Sequence, residues 1–252
     1  MYKIPAGTLF LGKNLMILPE CPSTNTLAAE LSQAGQAPEG TVVITHNQTS
    51  GRGQRGNTWE SGKGLNLTFS SVLHPGFLTA SRQFQLNKVI ALAVHDVVKK
   101  YTPEQVRVKW PNDIMVGNKK VCGILIENQV TGEKLSRSIA GIGLNVNQSE
   151  FSSPLASSVS IHSGKAIDLV TMFEDLLQSI EWRYLQLKNK QADKLDGDYL
   201  DSMFRINETH KFIVGDKETD AMIVNVDSSG KLIMKINNEM RSFDLKEIKY
   251  VY

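Results

Sequence analysis

Near His210 the sequence changes period. Downstream, KFIV, DAMIVNV, KLIMKI, MRSFDL and IKYVY are short strand-like runs separated by Gly-Asp, Ser-Ser-Gly and Asn-Asn-Glu turns. Upstream, strand-like and helical stretches alternate over a much longer span. One chain of 252 residues thus carries two kinds of pattern, and a single uniform architecture is excluded. The downstream part describes a β-barrel of roughly 40 residues, too small to be comfortably stable alone, so it is expected to dock on the rest. The division is expected at 1–207 and 208–252.

The upstream part reads as α+β, a mixed sheet flanked by helices. Ser23-Thr24-Asn25 are cap formers before TLAAELSQAG, which predicts a helix over 23–34 that stops at Gly35. TVVITHN (41–47) is β-branched and strand-like. LNLTFSSVL (65–73) alternates Leu65, Leu67, Phe69, Ser71 and Leu73 on one face, which predicts a half-buried strand beside it. Leu86, Val89, Ile90, Ala93, Val94 and Val97 give an amphipathic helix over 82–100, with Lys99 and Lys100 suited to its last turn. VRVKW is a strand closed by Pro111-Asn112-Asp113, after which IMV, the Gly117-Asn118 turn and KKVCGILIEN form a hairpin. SIAGIGLNVN (138–147) adds a strand. After a Ser-rich connector (152–163), Asp168 caps the longest helical stretch, and a further helix lies around 191–203.

Charge and cysteine usage narrow the function classes. Twenty-eight Lys+Arg against 26 Asp+Glu leave a net charge of +2, which argues against a dedicated nucleic-acid or anionic-membrane binder while leaving local basic patches open. Cys21 and Cys122 are far apart and form no C-x-x-C pair, so neither a zinc site nor a disulfide framework is indicated. The N-terminus lacks a signal-peptide pattern and no run approaches a membrane span. A reduced, cytoplasmic setting is expected, without a membrane partner.

Between the two strand-like runs lies QTSGRGQRGNTWESGKG. Gly51-Arg52-Gly53-Gln54-Arg55-Gly56 matches G-x-G-x-x-G, yet a dinucleotide fingerprint opens into a helix and needs an acidic residue about 20 positions later. Here the segment runs into a strand, and 61–95 contain no Asp or Glu. A P-loop fails as well, since Gly62-Lys63 is followed by Gly64 and Asn57 stands where the first glycine belongs. An Arg-Gly RNA-binding segment has little support from one short run with one aromatic, Trp59. Two readings stay open on this segment alone, a solvated surface loop and a flexible loop that folds its amides and guanidinium groups around an anion.

Five motifs decide between them. In order they are Ser23-Thr24-Asn25, Gln48 through Gly56, Lys109-Trp110-Pro111-Asn112-Asp113, Lys120-Val121-Cys122-Gly123-Ile124-Leu125 and Gly141-Ile142-Gly143-Leu144-Asn145. Together they resemble the biotin–protein ligases, which attach biotin to the carboxyl-carrier domain of biotin-dependent carboxylases. The resemblance implies the class II synthetase-like biotin–lipoate ligase fold, a mixed sheet with flanking helices followed by an SH3-like β-barrel. Some bacterial members carry an N-terminal helix-turn-helix that binds DNA. The first motif starts at Ser23, which leaves no room for it, so a monofunctional ligase without a DNA partner is expected.

The resemblance implies two reactions. Biotin and ATP give biotinyl-5′-AMP and pyrophosphate, and a carrier lysine then takes the biotinyl group. Because a carboxylate must approach a triphosphate, cations are required, and Mg²⁺ is expected with ATP. Lys120 matches the family's active-site lysine, with Arg52, Arg55 and Lys109 in support. Ser23, Thr24, Asn25 and Gln48 match positions that recognise biotin's ureido head, and Gly51, Arg52, Gly53, Gln54, Lys120 and Gly123 complete the expected biotin set. Arg55, Asn112, Asp113, Lys120 and Asn145 are the expected ATP or adenylate set; Asp113 is the candidate for orienting a lysine or the metal. The glycine-rich loop is expected to act as a lid that keeps water from the adenylate. Many relatives have arginine where this sequence has Gln54, which lowers the loop's charge. A lipoate or octanoate ligase shares the fold and adenylate chemistry, and an RNA-binding module is the rival from another class. Exposed strand edges are candidates for carrier docking or a homodimer.

Overall fold

The computed structural model describes residues 2–252, with Arg55 described by its backbone alone. A seven-stranded sheet comprises β1 (Leu15–Leu18), β2 (Val42–Thr45), β3 (Leu67–Leu73), β4 (Val106–Lys109), β5 (Asp113–Val116), β6 (Lys119–Thr131) and β7 (Lys134–Leu144). Its order is β1-β2-β3-β7-β6-β5-β4. The β1–β2 pair is parallel and every other pair is antiparallel.

Helices cover both faces at the centre of this sheet. On one side α2 (Phe84–Tyr101) and α4 (Leu169–Lys188) pack together, and α5 (Ala192–Asp201) joins them. The last residues of the stretch read as a Ser-rich connector (152–163) form the short α3 (Val159–Ser163), a helix not expected there. On the other side α1 (Thr24–Gln33) lies across β2, β3 and β7. The main core holds Leu67, Phe69, Leu73, Val89, Ile90, Ile142 and Phe173, and a second small core of Ala28, Val43, Val72 and Ile139 sits under α1. The half-buried reading of 65–73 is therefore corrected. All seven residues of β3 are buried, because a central strand is covered by α1 as well as by the main core, while Leu65 lies outside it and is exposed.

Local signals placed the helix starts well. Ser23 Oγ accepts from Thr26 N, and Asp168 accepts from Thr171 N at the head of α4. The hydroxyl and backbone amide of Thr171 hold the Asp168 carboxyl below the usual carboxylate range.

The C-terminal sheet comprises β8 (Thr209–Val214), β9 (Lys217–Val226), β10 (Leu232–Ile236), β11 (Glu239–Phe243) and β12 (Ile248–Tyr250), in the order β11-β10-β9-β8-β12, all antiparallel. It is SH3-like and packs on the larger part. Phe212, Ile223 and Met234 belong to the main hydrophobic cluster, and Trp110 Nε1 donates to Gly230 O at 2.9 Å. No helix among the described residues is long and apolar enough to cross a membrane.

Candidate active site

A cavity opens on the α1 face of the large sheet because β6 and β7 present glycines there beside the small polar side chains of β3. In the register of the sheet, Thr68, Gly143 and Gly123 form one row across β3, β7 and β6, and Ser70, Gly141 and Leu125 form the next. A Cβ at Gly141 would lie 2.1 Å from Asn25 Oδ1, and one at Gly143 would lie 2.4 Å from Trp59 Cε2. These glycines therefore let α1 and the indole approach the backbone closely.

The α1 wall is a closed hydrogen-bonded chain. Gln48 Oε1 accepts from Thr24 N at 2.9 Å, and Ser70 Oγ lies 2.7 Å from Thr24 Oγ1 and 2.6 Å from Asn25 Oδ1. A carboxamide oxygen only accepts, so Ser70 donates to Asn25 and the Thr24 hydroxyl must donate to Ser70 or Gln48. Asn25 Nδ2 donates to Leu125 O and to Glu127 Oε2. Thr24 and Asn25 are buried, so their orientation is fixed before any ligand arrives.

Opposite, residues 51–59 fold back on themselves. Arg52 bridges Thr58, Gly53 N donates to Asn57 O, and Trp59 N donates to Gly51 O around a 3₁₀ turn at Gln54–Gly56. The segment read as a loop without regular structure thus has a short turn of its own. Trp59 lies over Gly123 and Gly143, and its buried Nε1 has no hydrogen-bond partner among the described residues. Arg52 Nη2 is 2.8 Å from Glu127 Oε2.

The third side holds the charged pair. Lys120 Nζ is 2.7 Å from Asp113 Oδ1 and 5.7 Å from the centre of the Trp59 ring. A bulge aims it there. Ile114 pairs with Cys122 but Met115 pairs with Lys120, so β6 carries one extra residue, Val121. The extra residue turns Lys120 onto the same face as Gly123, and its side chain lies against that glycine. The Ser-rich connector clamps its backbone, with Lys120 N donating to Leu155 O and Ser157 N to Lys120 O. Asn112 Nδ2 donates to Ile124 O at 2.6 Å and is buried in the cavity wall. Behind Lys120, burial pushes the Cys122 thiol up, beyond what the lysine's charge lowers, so it stays protonated and unreactive.

The same fold and motifs occur in known proteins. The sequence profile of the biotin/lipoate A/B protein ligase family matches residues 18–145, half of the chain. The chain belongs to this family. It is 35% identical over 182 residues to the bifunctional ligase/repressor BirA of Bacillus spizizenii, covering 70% of this chain and 55% of that protein's length. The chain thus spans about half of that relative. Identity to the biotin–[acetyl-CoA-carboxylase] ligase of Paracoccus denitrificans is 29% over 231 residues, covering 87% of this chain and 93% of that one. Among solved structures, the biotin protein ligase of Aquifex aeolicus in complex with biotin and ATP matches with a TM-score of 0.77 at 28% identity, over 94% of this chain and 98% of that one.

Of the residues singled out in the sequence of this family member, the cavity brings together Ser23, Thr24, Asn25, Gln48, Arg52, Gly53, Gln54, Asn112, Asp113, Lys120 and Gly123. Gly51 packs behind the wall against Trp59 O and Gln48. Lys109 lies in an adjoining groove, 4.8 Å from the Tyr250 ring and 5.4 Å from that of Tyr252, a groove it shares with Gln54, Pro111 and Asp113. Asn145 is buried beside the cavity, its Nδ2 donating to Ser157 O while Oδ1 has no partner among the described residues. The Arg55 side chain lies outside the described residues.

Sequence reasoning missed the part played by five residues. Trp59 was visible only as a lone aromatic, and Ser70 and Glu127 sit in strands with nothing local to mark them. Gly141 and Gly143 were quoted as a motif, but their role as the cavity floor depends on elements far away in sequence.

Proposed function

We propose that this chain activates biotin as biotinyl-5′-AMP and transfers it to a lysine of a biotin carboxyl-carrier domain. The single observation that carries the reading is the pairing, across one cavity, of a buried neutral hydrogen-bonding wall with the Lys120–Asp113 pair. Biotin presents just such a division, a neutral ureido head at one end and a carboxylate at the other. The Thr24, Asn25 and Gln48 side would receive the head, where buried polar groups must find partners. Gly123 and Gly143 would leave room for the thin apolar body, with Trp59 repacking above it.

In the first step a biotin carboxylate oxygen attacks the α-phosphorus of ATP. A new O–P bond forms, the bond from the α-phosphorus to the bridging oxygen breaks, and pyrophosphate leaves. Lys120 and Arg52 offset the repulsion between the two anions, and Lys120 stabilises charge gathering on the α-phosphoryl oxygens. Asp113 holds the Lys120 ammonium in place until the substrate arrives. In the second step the carrier lysine's amine attacks the acyl carbon, AMP leaves, and the amine gives up a proton as the amide forms. Residues 51–59 cover the intermediate and keep water out.

Mg²⁺ accompanies ATP in this reading. The described residues hold no cluster of three metal-ligating side chains, and the cavity offers one carboxylate, Asp113. That suits a cation that keeps most of its bonds to phosphate and water. It would neutralise phosphate charge, with Asp113 as its protein contact. The buried, protonated cysteines fit a reducing, cytoplasmic setting.

Incubation with ATP, a carrier domain and either labelled biotin or labelled octanoate or lipoate tests the assignment. Label from biotin should appear on the carrier lysine. Transfer of octanoyl or lipoyl groups alone would replace the substrate, and salt-sensitive RNA binding with no acyl transfer would replace the function.

A further inference from the structure

Glu127 stands beside the cavity without a part in the reaction just described. It lies on β6, one alternation beyond Gly123 and Leu125 on the same face, opposite Ile139 of β7. Its Oε2 accepts two hydrogen bonds, one from Asn25 Nδ2 at 2.8 Å and one from Arg52 Nη2 at 2.8 Å. Asn25 belongs to the buried α1 wall and Arg52 to the glycine-rich turn of residues 51–59, and both line the cavity. Glu127 itself does not line it. A single carboxylate oxygen therefore ties the two sides together from behind.

The ion pair is half exposed, at 46% for Arg52 and 40% for Glu127, and as a stabilising contact it is weak. Its consequence is geometric. Asn25 Nδ2 is held toward Glu127 and Leu125 O, which leaves Oδ1 facing Ser70 and Gly141. Were Glu127 absent, Asn25 Nδ2 would keep only the Leu125 carbonyl as an acceptor, and the carboxamide would be held less firmly in the wall. The same oxygen keeps the Arg52 guanidinium at the cavity edge, so an anionic ligand meets a cation already in place rather than one that must be ordered on binding.

We propose that Glu127 is a positioning residue that couples ordering of the head-group wall to placement of Arg52 and closure of residues 51–59; this rests on the biotin reading above. The coupling runs through Asn25 and Arg52 and involves no contact between Glu127 and the substrate.

The test uses the full chain with Glu127→Ala, Glu127→Gln, Arg52→Gln and the double variant Arg52→Gln/Glu127→Gln. Each is first shown to keep the wild-type thermal midpoint. Steady-state kinetics are then run separately in biotin and in ATP. For Glu127→Ala, KM for biotin should rise about tenfold, as for one lost charge-assisted hydrogen bond, with KM for ATP about unchanged and kcat lowered by a smaller factor, since Arg52 also serves the adenylation step. Glu127→Gln keeps a neutral acceptor for Asn25 and should recover about half of that loss on a logarithmic scale. The double variant should lose less than the product of the two single losses, since part of the effect of Glu127 runs through Arg52. In parallel, tryptic cleavage in residues 51–59 should be faster in Glu127→Gln than in wild type, and biotin should protect the wild type more. A wild-type KM for biotin in Glu127→Ala, or losses that multiply in the double variant, would overturn the proposal. A wild-type chain that binds no biotin would instead overturn the substrate assignment, leaving the two failures distinct.

Discussion

On the α1 side of the cavity, Thr24, Ser70 and Asn25 are buried and hydrogen bonded to one another, while on the loop side Arg52 is half exposed and the buried N–H of Trp59 has no partner among the described residues. The difference follows from what each side is made of. The first combines a capped helix with two central strands, whose backbone is already satisfied by the sheet. The second is a glycine-rich segment held by one 3₁₀ turn and one isolated bridge. A neutral head group is best met by partners fixed in advance, because an unpaired polar atom on either partner is costly. In the proposed reaction the charged end changes partners twice, and a weakly held segment can follow it.

The same substitution on the two sides should break this symmetry most visibly. A methyl at Gly141 lands on Asn25 Oδ1, a side-chain atom that cannot retreat because Ser70, Leu125 and Glu127 hold its carboxamide. Gly141→Ala should therefore weaken biotin binding about a hundredfold in calorimetry, combining overpacking with lost hydrogen bonds. At Gly53 the nearest atoms to an added Cβ are 3.3 Å away, in Asn57. Gly53→Ala should change biotin affinity by no more than about twofold, since the neighbour needs to give only slightly. Equal losses at both positions would show that the two walls are equally rigid.

A smaller effect should appear far from both walls and leave the comparison untouched. Arg183 of α4 is buried between Asp96 of α2 and Asp198 of α5. Burial alone would push the Asp96 carboxyl up, but hydrogen bonds and charge from His95 and Arg183 outweigh it and hold it below the usual carboxylate range. A lowered folded pKa contributes stability above the unfolded value of about 4, and that stability disappears as pH falls through the folded value. Asp96→Asn should cost about 2 kcal/mol at neutral pH, because Asp198 still pairs with the arginine. In denaturant titrations the gap from wild type should close as pH falls below about 4, while biotin affinity at neutral pH stays at its wild-type value.

Local rules made much of this architecture legible. The Ser23 and Asp168 caps, the turn-separated strands of the C-terminal part and the Gly117-Asn118 hairpin are settled within a few residues, so their sequence carries them. The misread strand, Leu67–Leu73, failed for the opposite reason: whether a strand is covered on one face or two is decided by α1, more than thirty residues away. The aim of Lys120 depends on a bulge that only pairing with β5 creates. The cavity floor depends on Asn25 and Trp59 arriving over Gly141 and Gly143. Motif resemblance supplied candidate residues, but it separated neither Lys109, stacked near Tyr250 in the adjoining groove, from the cavity nor Glu127 from the crowd of surface carboxylates.

The central claim is that one cavity joins a biotin-reading wall to a Lys120 centre that activates the carboxylate. Exchange of labelled pyrophosphate into ATP tests it most directly, because exchange requires the acyl donor and the adenylation chemistry together. The wild-type chain should exchange only when biotin is present, and Lys120→Ala, with an unchanged thermal midpoint, should be slower by about three orders of magnitude. Exchange that ignores biotin, or a folded Lys120→Ala variant that exchanges at the wild-type rate, would contradict it.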